Sequence, residues 1–445
     1  MSYKHGVYAY ETPTSIVPPV RTSAGLPVVF GTAPVNLAAN PAKPNKPVLC
    51  YTYAEAVDAF GYSDDWTNYT LCEFIKSHFA LFNVAPVVLV NVLDAAVHKT
   101  VVATKAVSLT AGKGTLVDGG VLLETLAVKL EEASMTALVK GTDYTAAFDS
   151  DGNVTITRIA SGSILAEQAG LVASYTKINP AAVTADDIVG GVDATTGDYE
   201  GLELVNQVFP LFRLVPGMIL APGWSHDPTV AAVMVAKASN INGHFKCIAL
   251  TDVPTGTVKK YTDVAAWKNT NNYTAARQVV CWPAVKLGEE TFHLSTQLAG
   301  VICRTDAENE DIPYVSLSNK GLQANAAVLA DGTEIYLGSD QAAYINGQGV
   351  VTALNFVGGW KAWGNRTGIY PSVTDPKDAF IPIRRMFDWI NNTFILTYWQ
   401  KVDYPINRRL IETIVDSANI WLNGLKARQF IFGGRKKKKK DENPA

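Results

Sequence analysis

The sequence predicts a multidomain α/β (α+β) protein, with a layered α/β core, an inserted mainly β domain that interrupts it, and an extended N-terminal arm. Three observations carry that expectation. Apolar strand-like runs alternate with amphipathic helical patterns from Pro47 to Leu93 and again from Asp198 to Trp282. The stretch between them turns to Thr, Val, Ala and Gly punctuated by turn signals. The 445 residues, 48% apolar and 18% charged, describe an ordered chain too long for one simple core. The expected parts are an arm at 1–27, the first part of the core at 28–94, the insertion at 95–198, the second part of the core at 199–368, a helical C-terminal domain at 369–434, and a basic tail at 435–445.

Tyr3 to Glu11 has the composition and alternation of a strand, and Pro13, Pro18, Pro19 and Pro27 then punctuate an extended segment. Such a strand can join the chain's own sheet or be lent to a neighbour by strand addition. From Pro47, Val48 to Tyr51 reads as a short buried strand, and Thr52 with Glu55 forms a capping box for a helix that ends at Gly61. A second helix spans about 68–82, with Leu71, Phe74, Ile75, His78, Phe79 and Phe82 at helical spacing. Val87 to Leu93 is continuous, as expected of a strand covered on both faces. In the insertion, Asp118-Gly119-Gly120 and Asp149 to Asn153 mark turns. The second half offers a helix at Leu202–Val208, a strand at Gly217–Ala221, a helix at Pro228–Ile241, and strands at Phe245–Leu250 and Gln278–Trp282.

Charge and cysteine content exclude several classes. The net charge is −3, and removing the six basic and two acidic residues of 435–442 leaves a body of −7, unsuited to direct binding of nucleic acid over a broad face. Five scattered cysteines without CxxC or zinc spacing fit a reduced cytoplasmic origin. The most apolar segment, Phe79 to Val97, is interrupted by Asn83, Pro86, Asn91 and Asp94, so no membrane insertion is expected.

No constellation of residues reads as catalytic. Gly223-Trp224-Ser225-His226-Asp227 echoes a nucleophile elbow but has Asp227 where the second glycine belongs, and Ser225 or Asp227 is better suited to cap the helix at Pro228. Gly112-Lys113-Gly114-Thr115 lacks the upstream glycine and the magnesium-binding hydroxyl of a phosphate loop, and reads as a hairpin tip. Asp149 to Asn153 lacks the distal glutamate of a calcium loop. His78 on an apolar face reads as a hydrogen-bonded core residue. Asp306, Glu308, Glu310 and Asp311, like Lys436 to Lys440, read as solvated charge. No enzyme, cofactor or metal is expected.

Thr374 to Gly434 holds ten aromatic residues in two amphipathic patterns. In the first, Ile383, Phe387, Ile390, Phe394 and Tyr398 form a stripe that excludes Arg384, Arg385, Asp388, Asn391 and Asn392. The second starts between Asp403 and Asn407, with Pro405 in its first turn, and buries Leu410, Ile414, Ala418, Trp421 and Leu425.

The chain resembles the tail sheath proteins of contractile (myophage-type) bacteriophages and of contractile bacteriocins. The resemblance is carried by Val208-Phe209-Pro210-Leu211-Phe212, Leu214-Val215-Pro216-Gly217, Leu220-Ala221-Pro222-Gly223 with Ser225-His226-Asp227-Pro228, and Ile241-Asn242-Gly243. It continues through Pro313-Tyr314-Val315-Ser316, Ser318-Asn319-Lys320, Trp363-Gly364-Asn365-Arg366-Thr367, Arg384-Arg385, Thr397-Tyr398-Trp399, Asp403 with Pro405, and Arg409-Leu410-Ile411-Glu412 to Trp421-Leu422-Asn423. It covers most of residues 1–93 and 200–434 and omits the insertion.

The resemblance implies a structural subunit that polymerises around an inner tail tube and contracts to drive it through a target envelope. The implied partners are identical subunits, the tube, the baseplate and tail terminator proteins, in a virion tail assembled in the host cytoplasm. It implies an N-terminal arm, with Tyr3, Val7, Tyr8 and Tyr10, that pairs with neighbouring subunits. It leaves Arg384, Arg385, Arg408 and Arg409 as candidates for the tube or a subunit interface. The family's C-terminal arm runs some tens of residues past the point matching Gly434, so the sequence given is expected to carry little of it and to be mainly monomeric. A bacteriocin or injection-system sheath is the nearest alternative. An α/β enzyme is the rival from another class, and it predicts a pocket with converging titratable groups at Ser225, His226 and Asp227.

Overall fold

The computed structural model describes residues 24–435. The expected arm strand with Tyr3, Val7, Tyr8 and Tyr10, and the lysine run 436–440, lie outside the described residues. The described residues form two units, one of residues 24–388 and one of residues 389–435.

The first unit is built on a nine-stranded sheet. Its strands are β1 (Pro27–Gly31), β2 (Val48–Cys50), β3 (Val87–Asn91), β4 (Met218–Leu220), β5 (Ile248–Asp252), β6 (Gln278–Cys281), β7 (Lys320–Gly321), β8 (Val350–Asn355) and β9 (Trp360–Trp363). They run in the order β7-β9-β8-β6-β5-β4-β1-β3-β2. The six from β8 to β3 are parallel, and antiparallel strands close both edges. Val28 of β1 pairs with Val88 on one side and Ile219 on the other, so strands from before and after the insertion meet at the centre.

Apolar runs such as Val87–Leu89 and Ile248–Leu250 form strands here because both faces are covered. Val29, Leu89, Leu220, Leu250, Val279 and Val351 face one core with Phe74, Leu298 and Ile302, whereas Val280, Val350, Tyr273 and Trp282 face a second. Helix α1 (Tyr53–Phe60) starts where the Thr52 hydroxyl accepts the Glu55 N–H at 3.1 Å and ends at Gly61, with φ 72°. The next helix begins at Thr70, slightly after the expected start: α2 (Thr70–Ile75) continues as a wider π-helical turn, Lys76–Leu81. His78 within it is buried but is stacked on Phe74 at 4.9 Å, with neither ring nitrogen hydrogen-bonded, and burial pushes its pKa down to about 3. The neutral ring thus behaves as an aromatic core residue, not as the hydrogen-bonded one expected. Helix α3 (Pro228–Ser239) follows β4, and α4 (Leu294–Ala307) follows β6 and a short antiparallel hairpin.

The insertion forms two three-stranded antiparallel sheets. One joins Lys99–Ser108, Gly170–Ile178 and Ala127–Lys129; the other joins Lys113–Leu116, Val154–Arg158 and Tyr144–Phe148. Val107, Leu116, Val128, Tyr144, Ile156 and Leu171 share a core of their own. The Asp149 carboxylate accepts the N–H groups of Asp151 at 3.0 Å and Asn153 at 2.9 Å, and so is occupied in forming a hairpin turn. Gly112 forms the hairpin tip expected of it: Thr110 and Lys113 exchange backbone hydrogen bonds at 2.8 and 3.0 Å around Ala111 and Gly112, with φ 51° and 76°.

Two helices dominate the C-terminal region, α5 (Ile381–Tyr398) and α6 (Arg408–Ala427). The side-chain oxygen of Asn407 accepts the Leu410 N–H at 2.8 Å, which starts α6 after Pro405 and not with Pro405 in its first turn.

Candidate functional site

The parallel sheet has a topological switch at β1: the chain turns one way to β2 and β3, and the other way to β4 and beyond. α/β proteins commonly bind ligands in the crevice outside the strand carboxyl ends at such a point. Here the chain's own polar side chains hydrogen-bond across it. After β1, the Thr32 hydroxyl donates to the Asn68 carbonyl at 2.7 Å, and the Thr32 N–H donates to the Thr70 hydroxyl at 3.3 Å. At the end of β3, the Asn91 side-chain oxygen accepts from Ala33 at 3.0 Å and from Leu93 at 3.1 Å. After β4, Gly223 passes so near Thr70 that a β-carbon would lie 2.9 Å from its methyl group.

Two buried carboxylates complete this edge. Glu73, 1% exposed, accepts both the N–H and the ring Nδ1–H of His293 at 2.7 Å. Burial opposes charge on His293, but the adjacent Glu73 carboxylate and its hydrogen bond prevail and raise the ring to about 9. Asp252, at the end of β5, accepts the Ser295 N–H at 3.0 Å and the hydroxyls of Ser295 and Ser225. Burial raises its carboxyl, while His293 and the Ser295 hydrogen bonds oppose the rise.

This arrangement separates the three residues that a nucleophile reading would unite. Ser225 is fully buried, with its hydroxyl on Asp252 at 3.2 Å. His226 is exposed. Asp227 caps α3 by accepting the Thr229 N–H at 2.7 Å. A cavity of about 390 Å³ lies elsewhere, along α3, lined by Thr229, Ala232, Val235, Asn272 and Gln278. Sequence reasoning missed Glu73, Asp252, His293 and Ser295 as a cluster, because Glu73 and His293 stand 220 positions apart.

The four arginines singled out as interface candidates fall into two environments. Arg384 and Arg385 are each 6% exposed. Arg384 bridges Asp378 at 2.9 Å and Asp388 at 3.0 Å, and Asp388 also receives Arg277 at 2.8 Å. Arg385 donates to both oxygens of Asp306 and to the Ala24 carbonyl. Asp306 of the acidic segment is thus buried and paired, where solvated charge was expected. The face of α5 is likewise the reverse of that expected from its apolar stripe. Arg384, Arg385, Asp388 and Asn392 are buried, while Phe387 is exposed and Ile383, Ile390, Phe394 and Tyr398 are half-buried.

Arg408 and Arg409 remain exposed, Arg408 donating to Glu412 at 2.7 Å within α6. In this second unit Trp421 packs 5.6 Å from Trp389 and 5.3 Å from Phe394, and the Tyr398 hydroxyl donates to the Ile414 carbonyl at 3.2 Å. Ala418, Leu422 and Leu425 are buried, whereas Trp399, Val402, Tyr404, Ile406, Ile420 and Phe432 are exposed. Among the described residues, no helix is long and apolar enough to cross a membrane, and no group of three or more His, Cys, Asp or Glu is placed to hold a metal.

No family model matches the chain. The tail sheath protein of Burkholderia phage BcepMu is 28% identical over 434 residues, spanning 94% of this chain and 85% of that protein. The PVC sheath complex of an extracellular contractile injection system, solved in its contracted state, has the same fold with a TM-score of 0.53 at 12% identity, covering 99% of this chain and 86% of that one. The sheath tail protein of Desulfitobacterium hafniense gives a TM-score of 0.52 at 13% identity, covering 95% and 89%. In both sequence and fold the chain resembles contractile tail sheath proteins.

Proposed function

We propose that the chain is a structural subunit of a contractile tail sheath, which assembles with copies of itself and with a baseplate around an inner tube and contracts to drive that tube through an envelope. The observation that carries this reading is the extent of the likeness: 94% of the chain matches a phage tail sheath protein, so it includes the C-terminal unit as well as the α/β body. The hydrogen-bonded network at the sheet switch agrees with it, since it ties the strand ends into a rigid body. The exposed apolar residues from Trp399 to Phe432 supply an assembly surface beside Arg408 and Arg409. Contraction in such a polymer is a rigid-body rearrangement of subunits and needs no bound nucleotide. Likeness to both phage and injection-system sheaths leaves the same mechanism in place for either particle.

Electron microscopy of the complete gene product, alone and without residues 1–15, tests the proposal. Striated tubes are expected from the complete product and dispersed particles from the deletion. A complete product that stays dispersed even when mixed with its cognate tube and baseplate proteins would overturn it. Tubes from the deletion would remove the arm from the assembly mechanism.

A further inference from the structure

We infer that Ala24, Gly25 and Leu26 form a load-bearing anchor for the N-terminal segment, and that Arg385 is the positioning residue that fixes it. The inference rests on the sheath reading for its purpose and on the geometry for its substance. Three successive carbonyls are each held by a different part of the first unit. The Ala24 carbonyl accepts from the Arg385 guanidinium of α5 at 3.1 Å. The Gly25 carbonyl accepts from the Cys303 thiol of α4 at 3.0 Å. The Leu26 carbonyl accepts from Gly217 N–H, just before β4, at 2.8 Å.

The site is built for close approach. A β-carbon on Gly217 would lie 2.2 Å from the Ala24 carbonyl oxygen, and one on Gly25 would lie 3.2 Å from an Asp306 carboxylate oxygen. Asp306 is 2% exposed and holds Arg385 through both of its oxygens, so the guanidinium that reaches Ala24 is oriented by a fork-to-fork pair. Burial, with Asp306 nearby, pushes the Cys303 thiol well above its ordinary range, so it keeps the proton it donates.

Immediately after the anchor the chain enters β1, which is hydrogen-bonded in parallel to β3 and β4. Tension on residues 1–23 therefore meets three separate elements before it reaches the central strand. The chain leaves the first unit at 388/389, three residues past Arg385. In a sheath, segments that link subunits carry load during contraction, and an anchor of this kind keeps the body from unravelling from its central strand.

Single-molecule pulling on the whole chain, held by its two ends, tests this. Replacing the buried pair with apolar residues of similar volume, Arg385→Met with Asp306→Leu, avoids leaving one charge unpaired, and such replacements commonly preserve stability. The expected result is an unchanged melting temperature with the first rupture force lowered by at least roughly a third, because the charge-assisted contact, the strongest of the three, is gone. Cys303→Ala removes the second contact, is expected to lower the force by a smaller amount because a thiol is a weak donor, and carries the test if the double variant does not fold. An unchanged rupture force in whichever variants fold overturns the anchor. The readout is on single chains, so failure to polymerise would count against the sheath reading alone.

Discussion

Two arginine doublets on the two long C-terminal helices look alike in sequence and have opposite fates in the structure. Arg384-Arg385 on α5 is buried among Asp378, Asp388 and Asp306, while Arg408-Arg409 on α6 is exposed and its one described ion pair, to Glu412, lies along its own helix. Each doublet sits beside apolar residues at helical spacing, which cannot show whether a neighbouring helix brings carboxylates to meet the cations. The first pair therefore holds the fold, whereas the second lies exposed, where we propose that it meets another molecule. Four substitutions break or sharpen that contrast.

The largest effect belongs to Arg385→Ala. It strands the Asp306 carboxylate in a site that is 2% exposed, which should destabilise the first unit by about 3–5 kcal/mol in a denaturant titration. A loss no greater than that of an ordinary surface substitution would mean that the pair is solvated, erasing the contrast between the doublets. Next comes Trp421→Ala, which removes the ring packed against Trp389 and Phe394. Because Trp421 is only half-buried, the expected cost is about 2 kcal/mol, below that of a fully buried tryptophan, measured as loss of helical circular dichroism on heating.

The sequence disclosed most where the determinants are local. Thr52 and Glu55 capping α1, Asp227 ahead of Pro228, and the uninterrupted Val87–Asn91 run each act within a few residues, and each appears close to its expected place. The insertion was legible for the same reason, through its turns and short alternating runs. What could not be read were pairings across the fold. Glu73 meets His293, Arg385 meets Asp306, and Asp388 meets Arg277 over separations from 79 to 220 residues. These charges inverted the face of α5: ion pairing buried Arg384, Arg385 and Asp388 and left Phe387 exposed. An amphipathic pattern ranks side chains by their cost of burial when alone, and it fails where the partner arrives from elsewhere.

Glu73→Gln tests a third cation, half-buried and held by a buried carboxylate, this one able to titrate. The His293 ring is raised from its ordinary 6.5 to about 9. A folded-state rise means that the contribution is complete below about pH 6.5 and is lost as pH climbs through 9. The unaltered chain should therefore lose melting temperature between pH 6.5 and 9.5, and Glu73→Gln, which removes the stabilising charge, should flatten that slope relative to it. Parallel slopes for the two proteins would show that the pair does not hold the proton.

The smallest effect on the isolated chain, and the one that bears most on assembly, is expected from Arg408→Ala with Arg409→Ala. Both side chains are exposed, and an ion pair along one helix face in water contributes little, so the melting temperature should stay within experimental error of the unaltered chain. If the exposed cations face a partner, polymer formation by the complete gene product should weaken, and the salt sensitivity of assembly should fall with the charge removed. The buried doublet predicts the opposite pattern: large losses of stability on breaking it, and little change in salt sensitivity, because water and ions do not reach it. An arginine-free α6 that assembles with undiminished salt sensitivity would move the electrostatic part of the interface away from this helix and leave the exposed apolar residues between Trp399 and Phe432, of which only Ile420 lies on α6, as the remaining candidate contacts.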